Sequence, residues 1–174
     1  MSRERNIILT GFMGTGKSEV GKKLAIRLGR KFIDTDVLIE RETSTSISRL
    51  FTDQGEAYFR TLEQQALIRA CLEKGVVVAT GGGAMVNAVN VKRLKASGTV
   101  ICLTATPEII LARVQGNTDR PLLQGRDPLT QIRALLTARA KAYAAADVTI
   151  DTSYLSVDEV VEAIHTALAK ELET

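Results

Sequence analysis

The sequence predicts an α/β fold in which a parallel sheet is covered by helices on both faces. Two observations carry this. Five short apolar runs, at Asn6–Thr10, Lys31–Asp36, Val76–Ala79, Thr99–Leu103 and Asp147–Ile150, alternate with stretches of helical periodicity, the order typical of parallel sheets with crossover helices. Between the first run and the first helical stretch stands Gly11-Phe12-Met13-Gly14-Thr15-Gly16-Lys17-Ser18. This is the spacing of a phosphate-binding loop: glycines let backbone N–H groups wrap a polyphosphate, the lysine reaches the β- and γ-phosphates, and the serine hydroxyl ligates Mg²⁺. Strand, glycine loop and helix occur in the order such a loop needs.

Length and composition bound the rest. A chain of 174 residues is long enough for one proper core, and residues 1–174 are expected to form a single domain. No apolar stretch approaches the roughly 18 to 20 residues needed to span a bilayer. Met1 to Arg5 run straight into the first strand, so a cytoplasmic protein with no membrane partner is expected. Cys71 and Cys102 are unpatterned and set in apolar surroundings, which favours buried reduced thiols over a disulfide or metal site. The net charge of +3 comes from dispersed basic residues, and aromatics are only 4% of the chain. Neither a clustered basic face nor a stacking platform is visible, so anionic small molecules are expected rather than nucleic acid.

The elements follow in order. Val20, Leu24 and Leu28 lie on one stripe of the first helix, whose positive end points at the phosphates. The second strand ends in Asp34 and Asp36. Residues two apart on a strand face one side, so both carboxylates can address one site; a polar turn with an aspartate helix cap is the other reading. Short helical material follows around Ile47 to Asp53. Gly55 opens a longer helix to Leu72, with Ala57, Leu62, Ala66 and Leu67 on its apolar side. Near its start, Arg60 has Glu56 at i−4 and Glu63 and Gln64 at i+3 and i+4, neighbours able to orient a guanidinium or simply to form a solvated ion pair.

Val76–Ala79 reads as a fully buried strand and runs through Thr80 into Gly81-Gly82-Gly83, which implies tight turning or close approach to the backbone. No aspartate ends this strand, so the acidic group at a metal must come from elsewhere, and Asp34 is the best-placed carboxylate. Lys92, Arg93 and Lys95 on the helix from Asn87 to Ser97 read as a solvated face. A strand at Thr99–Leu103 leads to a helix from Pro107 to about Val114. Residues 115–127 are long for a connection, with Arg120 and Arg126 among them; beside a phosphate-binding loop they suggest a basic lid, a frayed surface loop being the other reading. Pro128 to Ala145 is helical and carries Arg133 and Arg139. After the last strand Ser156 caps a closing helix that holds His165, a surface or partly buried side chain.

Taken together, Gly11-Phe12-Met13-Gly14 running into Gly16-Lys17-Ser18, Phe32-Ile33-Asp34-Thr35-Asp36, Gly55-Glu56-Ala57-Tyr58-Phe59-Arg60 with Glu63, Gly81-Gly82-Gly83, and Arg120-Pro121-Leu122-Leu123 resemble the shikimate kinases. These are small P-loop enzymes of the nucleoside-monophosphate-kinase-like group, and the resemblance covers nearly the whole chain. It implies a three-layer P-loop NTPase fold with a five-stranded parallel sheet in the order 2-3-1-4-5, a substrate-binding region at 34–63 and a closing lid. It also implies ATP-dependent phosphorylation of the 3-hydroxyl of shikimate, with Mg²⁺ as cofactor and the two small molecules as partners of a monomer.

Carried over by motif, Gly14, Thr15, Gly16, Lys17 and Ser18 would hold the phosphates, and Ser18 and Asp34 the metal. Asp36 would accept hydrogen bonds from shikimate hydroxyls, Gly81, Gly82 and Gly83 would present backbone to the ring, and Arg60 and Arg139 would clamp the carboxylate. Glu63 would orient Arg60, Arg120 would swing in with the lid to neutralise the transferring phosphoryl group, and Arg113 would stack near the adenine. One departure is Val157, where family members often carry a proline near the base. The rival acceptor is another hydroxy acid, as in a gluconate kinase; a nucleotide-sensing module without catalysis is the rival from a different class.

Overall fold

A computed structural model describes residues 4–115 and 127–170. Its five strands are β1 (Asn6–Gly11), β2 (Phe32–Asp34), β3 (Val77–Ala79), β4 (Gly98–Thr104) and β5 (Val148–Asp151), hydrogen-bonded in the order β2-β3-β1-β4-β5 and all parallel. The helices are α1 (Lys17–Leu28), α2 (Thr35–Thr43), α3 (Ile47–Leu72), α4 (Ala88–Ser97), α5 (Pro107–Val114), α6 (Pro128–Tyr143) and α7 (Val157–Lys170). Both the sheet order and the layering are those the sequence predicts. Among the described residues no helix is long and apolar enough to cross a membrane.

The sheet separates two apolar layers because successive strand residues point to opposite faces. Ile7 and Leu9 of β1, with Val77, Ile101 and Leu103, pack against Val20 and Leu24 of α1 and Val160, Val161 and Ile164 of α7. Ile8, Val78, Val100 and Cys102 face the other way, toward Leu67 of α3, Leu94 of α4, Ile110 of α5 and Ile132 of α6. Asn6, buried at the start of β1, is fully engaged: its Nδ2 donates to the Glu73 carbonyl at 2.8 Å and its Oδ1 accepts from Val76 N at 3.1 Å. Cys102 is buried, Cys71 is half-buried, and both are free thiols. Burial pushes the Cys102 thiol up to about 11, so it stays protonated and unreactive.

Three sequence readings change. The second strand stops at Asp34, not Asp36: Asp34 is the N-cap of α2 and its Oδ1 accepts from Asp36 N at 3.0 Å and Val37 N at 3.3 Å. Asp36 is thus a first-turn helical residue rather than a second strand carboxylate. The cap wins because Thr35 begins a helix whose open N–H groups take the carboxylate oxygen. On α3 the buried face holds Phe59, Glu63, Ala66 and Leu67 while Ala57 is exposed. Ala57 stands two residues before Phe59, about 200° away around the helix and so on its far side, while the break at Gly55 (φ 81, ψ 169) marks where the longer helix opens. Finally, Arg93 is half-buried rather than solvated like Lys92 and Lys95.

Candidate active site

Parallel strands put all their carboxyl ends on one edge, and ligands bind where the strand order reverses. Here β1 lies between β3 and β4, and its end carries the glycine loop. Within the loop the Thr15 hydroxyl donates to the Phe12 carbonyl at 2.7 Å, closing it on itself. Gly16, the N-cap of α1, has no side chain to offer, so the first-turn N–H groups and the helix dipole are left for an anion. The Lys17 ammonium lies over the loop, donating to the carbonyls of Gly11 at 2.9 Å and Phe12 at 2.8 Å. Arg113, in the last turn of α5, donates to the Gly14 carbonyl at 3.2 Å and to the Thr152 carbonyl at 2.6 Å, tying the loop to the segment after β5.

In the first turn of α1, the Ser18 hydroxyl donates to Asp34 Oδ2 at 2.5 Å. The two oxygens of Asp34 therefore serve different elements, one capping α2 and the other facing α1. Ser18, Asp34 and Asp36 all line one cleft of about 470 Å³.

The opposite wall comes from α3. Arg60 Nη1 donates to Glu63 Oε2 at 2.9 Å, Nη2 and Nε both reach Glu56 Oε1, and the guanidinium carbon sits 5.4 Å from the centre of the Phe59 ring. The ring of Phe51 packs against Phe59 with centroids 4.8 Å apart. The pair is not a solvated one. Glu63 keeps only 2% of its side chain exposed while Arg60 keeps 30%. Burial pushes the Glu63 carboxyl up, an effect that the charge and hydrogen bond of Arg60 only partly offset. For Arg60, burial works against the charge, but Glu63 and Glu56 outweigh it and hold the guanidinium firmly protonated.

The triple glycine follows from these side chains. A Cβ on Gly81 would meet Glu63 Oε1 at 2.6 Å and Asp36 Oδ1 at 2.9 Å, and one on Gly83 would meet Arg60 Nη1 at 2.4 Å. Only a residue without a side chain lets the acidic pair and the guanidinium approach the turn this closely. Gly82 carries a further contact. Its carbonyl accepts from Arg139 Nη1 at 3.2 Å and from the Tyr143 hydroxyl at 2.6 Å, both from α6. Arg139 is buried, with its guanidinium carbon 5.6 Å from the centre of the Phe12 ring of the glycine loop.

Of the residues singled out from sequence, Gly14, Gly16, Lys17, Ser18, Asp34, Asp36, Arg60, Gly82, Gly83 and Arg139 line this cleft together. Thr15 is buried behind it, Gly81 lies against Glu63 and Asp36, and Arg113 grips the loop from outside. Arg120 and residues 116–126 of the expected lid lie outside the described residues. Sequence reasoning missed Phe51 and Tyr143. The signal for Tyr143 was its place four residues after Arg139, which puts both on one helix face; Phe51 is brought in by the turn at Gly55 and left no local signal.

A cleft joining a phosphate-type loop to a buried arginine is shared by many phosphotransferases, so kinship narrows the reading. The family model for shikimate kinase matches residues 13–169. A shikimate kinase of Thermoanaerobacter pseudethanolicus is 48% identical over 160 residues, covering 92% of this chain and 94% of that protein. A solved shikimate kinase from Acinetobacter baumannii in complex with shikimate superposes with a TM-score of 0.93 at 38% identity, covering 97% of this chain and 94% of the other. By contrast, a gluconokinase from Sinorhizobium meliloti shares the fold alone, at 16% identity and a TM-score of 0.55. Loop, acidic pair, glycine turn and arginines thus sit in a chain that matches these relatives over more than nine-tenths of its length, and it belongs to the shikimate kinase family of enzymes.

Proposed function

We propose that this chain transfers the γ-phosphoryl group of ATP to the 3-hydroxyl of shikimate, giving shikimate 3-phosphate and ADP. The observation that supports it most directly is that the glycine loop, Asp34 and Asp36, and the arginines Arg60 and Arg139 open onto one cleft. Shikimate has one carboxylate and three hydroxyls, for which arginines and an aspartate are the matching partners. Arg60, held by Glu63 and Glu56, and Arg139, backed by Phe12, take the carboxylate. Asp36 accepts from a ring hydroxyl, and the backbone of Gly82 and Gly83, with Gly81 behind them, borders the ring.

Phosphoryl transfer asks little covalent work of a protein, so position and charge do most of it. Gly14, Thr15 and Gly16 shape the loop that wraps the phosphates, Lys17 turns from the loop carbonyls to the β- and γ-phosphates, and Arg113 steadies the loop next to the base. Mg²⁺ fits the residues present: a hydroxyl and a carboxylate, Ser18 and Asp34, meet at 2.5 Å, and this ion takes one or two protein oxygens together with phosphates and water. Among the described residues no three His, Cys, Asp or Glu side chains cluster for a metal, so the ion would come with the nucleotide. When bound it would neutralise charge on the β- and γ-phosphates. The same reading takes residues 1–174 as one kinase domain, with 34–63 as its substrate-binding region, working as a monomer; sedimentation velocity tests the last point.

The test is ADP release with ATP and Mg²⁺, with shikimate and then gluconate as acceptor and Lys17→Ala as control. Release that depends on shikimate, is absent with gluconate and is lost in the control is the expected result. Release with gluconate alone would replace the acceptor.

A further inference from the structure

Tyr143 closes α6, is buried, and puts its hydroxyl 2.6 Å from the Gly82 carbonyl. Neither the phosphate chemistry nor the clamp on the substrate carboxylate uses it. Its partner carbonyl also accepts from Arg139 Nη1 at 3.2 Å. We propose that Tyr143 is a positioning residue for the acceptor substrate, fixing the orientation of the Gly82–Gly83 peptide and, through the shared carbonyl, the guanidinium of Arg139.

The peptide plane fixes which group the glycine turn presents. Among the described residues there are no cis peptide bonds, so N–H and C=O of one peptide point opposite ways. With the Gly82 oxygen drawn to α6, the Gly83 N–H faces away from Tyr143 and Arg139. Both glycines line the cleft, so this orientation decides whether the turn shows the substrate a donor or an acceptor. A three-glycine turn cannot hold such a choice through its own side chains, because glycine populates more backbone conformations than any other residue. Two donors on one carbonyl supply the restraint. Tyr143 makes the shorter of the two bonds, and because burial pushes its phenol up, with Arg139 opposing only in part, the hydroxyl keeps its proton and remains a donor at neutral pH.

The same contact bears on Arg139. Its guanidinium is held on one face by the Phe12 ring at 5.6 Å and at one edge by the Gly82 oxygen. If that oxygen moves, the edge contact and the aim of the remaining N–H groups move with it. Because both bonds end on one oxygen, removing the Tyr143 hydroxyl frees that oxygen to shift and carries the Arg139 bond with it. Phe12 meets Arg139 through its ring face and Lys17 through its carbonyl, so a disturbance at Gly82 should reach shikimate first and ATP far less.

This proposal rests on the assignment of shikimate as acceptor. The experiment is steady-state kinetics of Tyr143→Phe, which keeps the ring and deletes the hydroxyl, with each substrate varied in turn, and shikimate binding by calorimetry. The expected result is a rise of about threefold to tenfold in KM and Kd for shikimate, the loss of one hydrogen bond, with kcat and KM for ATP within twofold of the parent. Ile132→Val, which thins the packing of the same helix without touching Gly82, should lower Tm and leave shikimate KM unchanged. An unchanged KM in Tyr143→Phe, or equal rises for both substrates, overturns the proposal. Absence of shikimate turnover in the parent would instead overturn the acceptor assignment, so the two failures are distinct.

Discussion

Ser18 and Asp34 meet at 2.5 Å across the gap between the helix behind the glycine loop and the end of β2. Because the other Asp34 oxygen caps α2, one carboxylate joins the nucleotide side of the cleft to the element that carries Asp36. Separating its two duties is possible, since asparagine caps a helix about as well as aspartate but carries no charge.

Asp34→Asn is therefore expected to keep Tm within about a degree of the parent while lowering kcat by roughly 10²- to 10³-fold, the scale of losing one preorganised charge contact. Asp34→Ala should lose the same activity and in addition about 1 kcal/mol of stability from the cap. Thermal melts and initial rates on both variants check this, and equal melting temperatures would remove the cap.

Arg60→Lys keeps the charge and discards the planar fork that reaches Glu63 and Glu56 together. Shikimate KM should rise about ten- to a hundredfold, from roughly 1.5 to 3 kcal/mol for a charge-assisted bond, with KM for ATP little changed. Varying each substrate in turn measures it; a parent-like shikimate KM would take Arg60 out of the site.

Gly83→Ala places a methyl where the Arg60 guanidinium now sits, 2.4 Å from Nη1. The clash is with the far end of a flexible side chain, so the protein should fold and shikimate KM should rise roughly tenfold, about 1.4 kcal/mol of lost contact. On an Arg60→Ala background the same change should add nothing, because its effect passes through Arg60. Additive losses in that double-mutant cycle would show that Gly83 acts by another route.

The Glu63 carboxyl is pushed up by burial beyond what Arg60 restores. A carboxyl whose pKa is higher folded than unfolded binds more protons in the native state between those two values. Its contribution is thus fully present below the unfolded value of about 4.3 and is lost as pH rises through the folded one. Relative to Glu63→Gln, which does not titrate, the parent should lose stability over that window and run parallel above it. Paired melts across acid to neutral pH check the sign; a gap that widens in favour of the parent as pH rises would contradict it.

The sequence by itself determined the layering and the chemistry of the loop, because both are local patterns. Apolar runs of strand length set β1, β3 and β4, the glycine spacing set the turn into α1, and Pro107 and Asn87 marked helix starts that the structure reproduces. It also brought forward the residues that line the cleft, from Lys17 to Arg139, through the motifs they share with a known family. What it could not decide was how they meet. Whether Asp36 is a strand or a helix residue depended on a cap bond from Asp34, and whether Arg60 formed a solvated or a buried pair depended on how far α3 sinks Glu63 into the protein. The triple glycine read as tight turning or close approach; only the structure shows that the approach is made by Asp36 and Glu63 at Gly81 and by Arg60 at Gly83. Tyr143 and Phe51 gained their places through contacts with residues 61 and 8 positions away. A ring contact across the break at Gly55 has no periodicity along the chain, and although Tyr143 shares a helix face with Arg139, only tertiary packing brings that face to the Gly82 carbonyl.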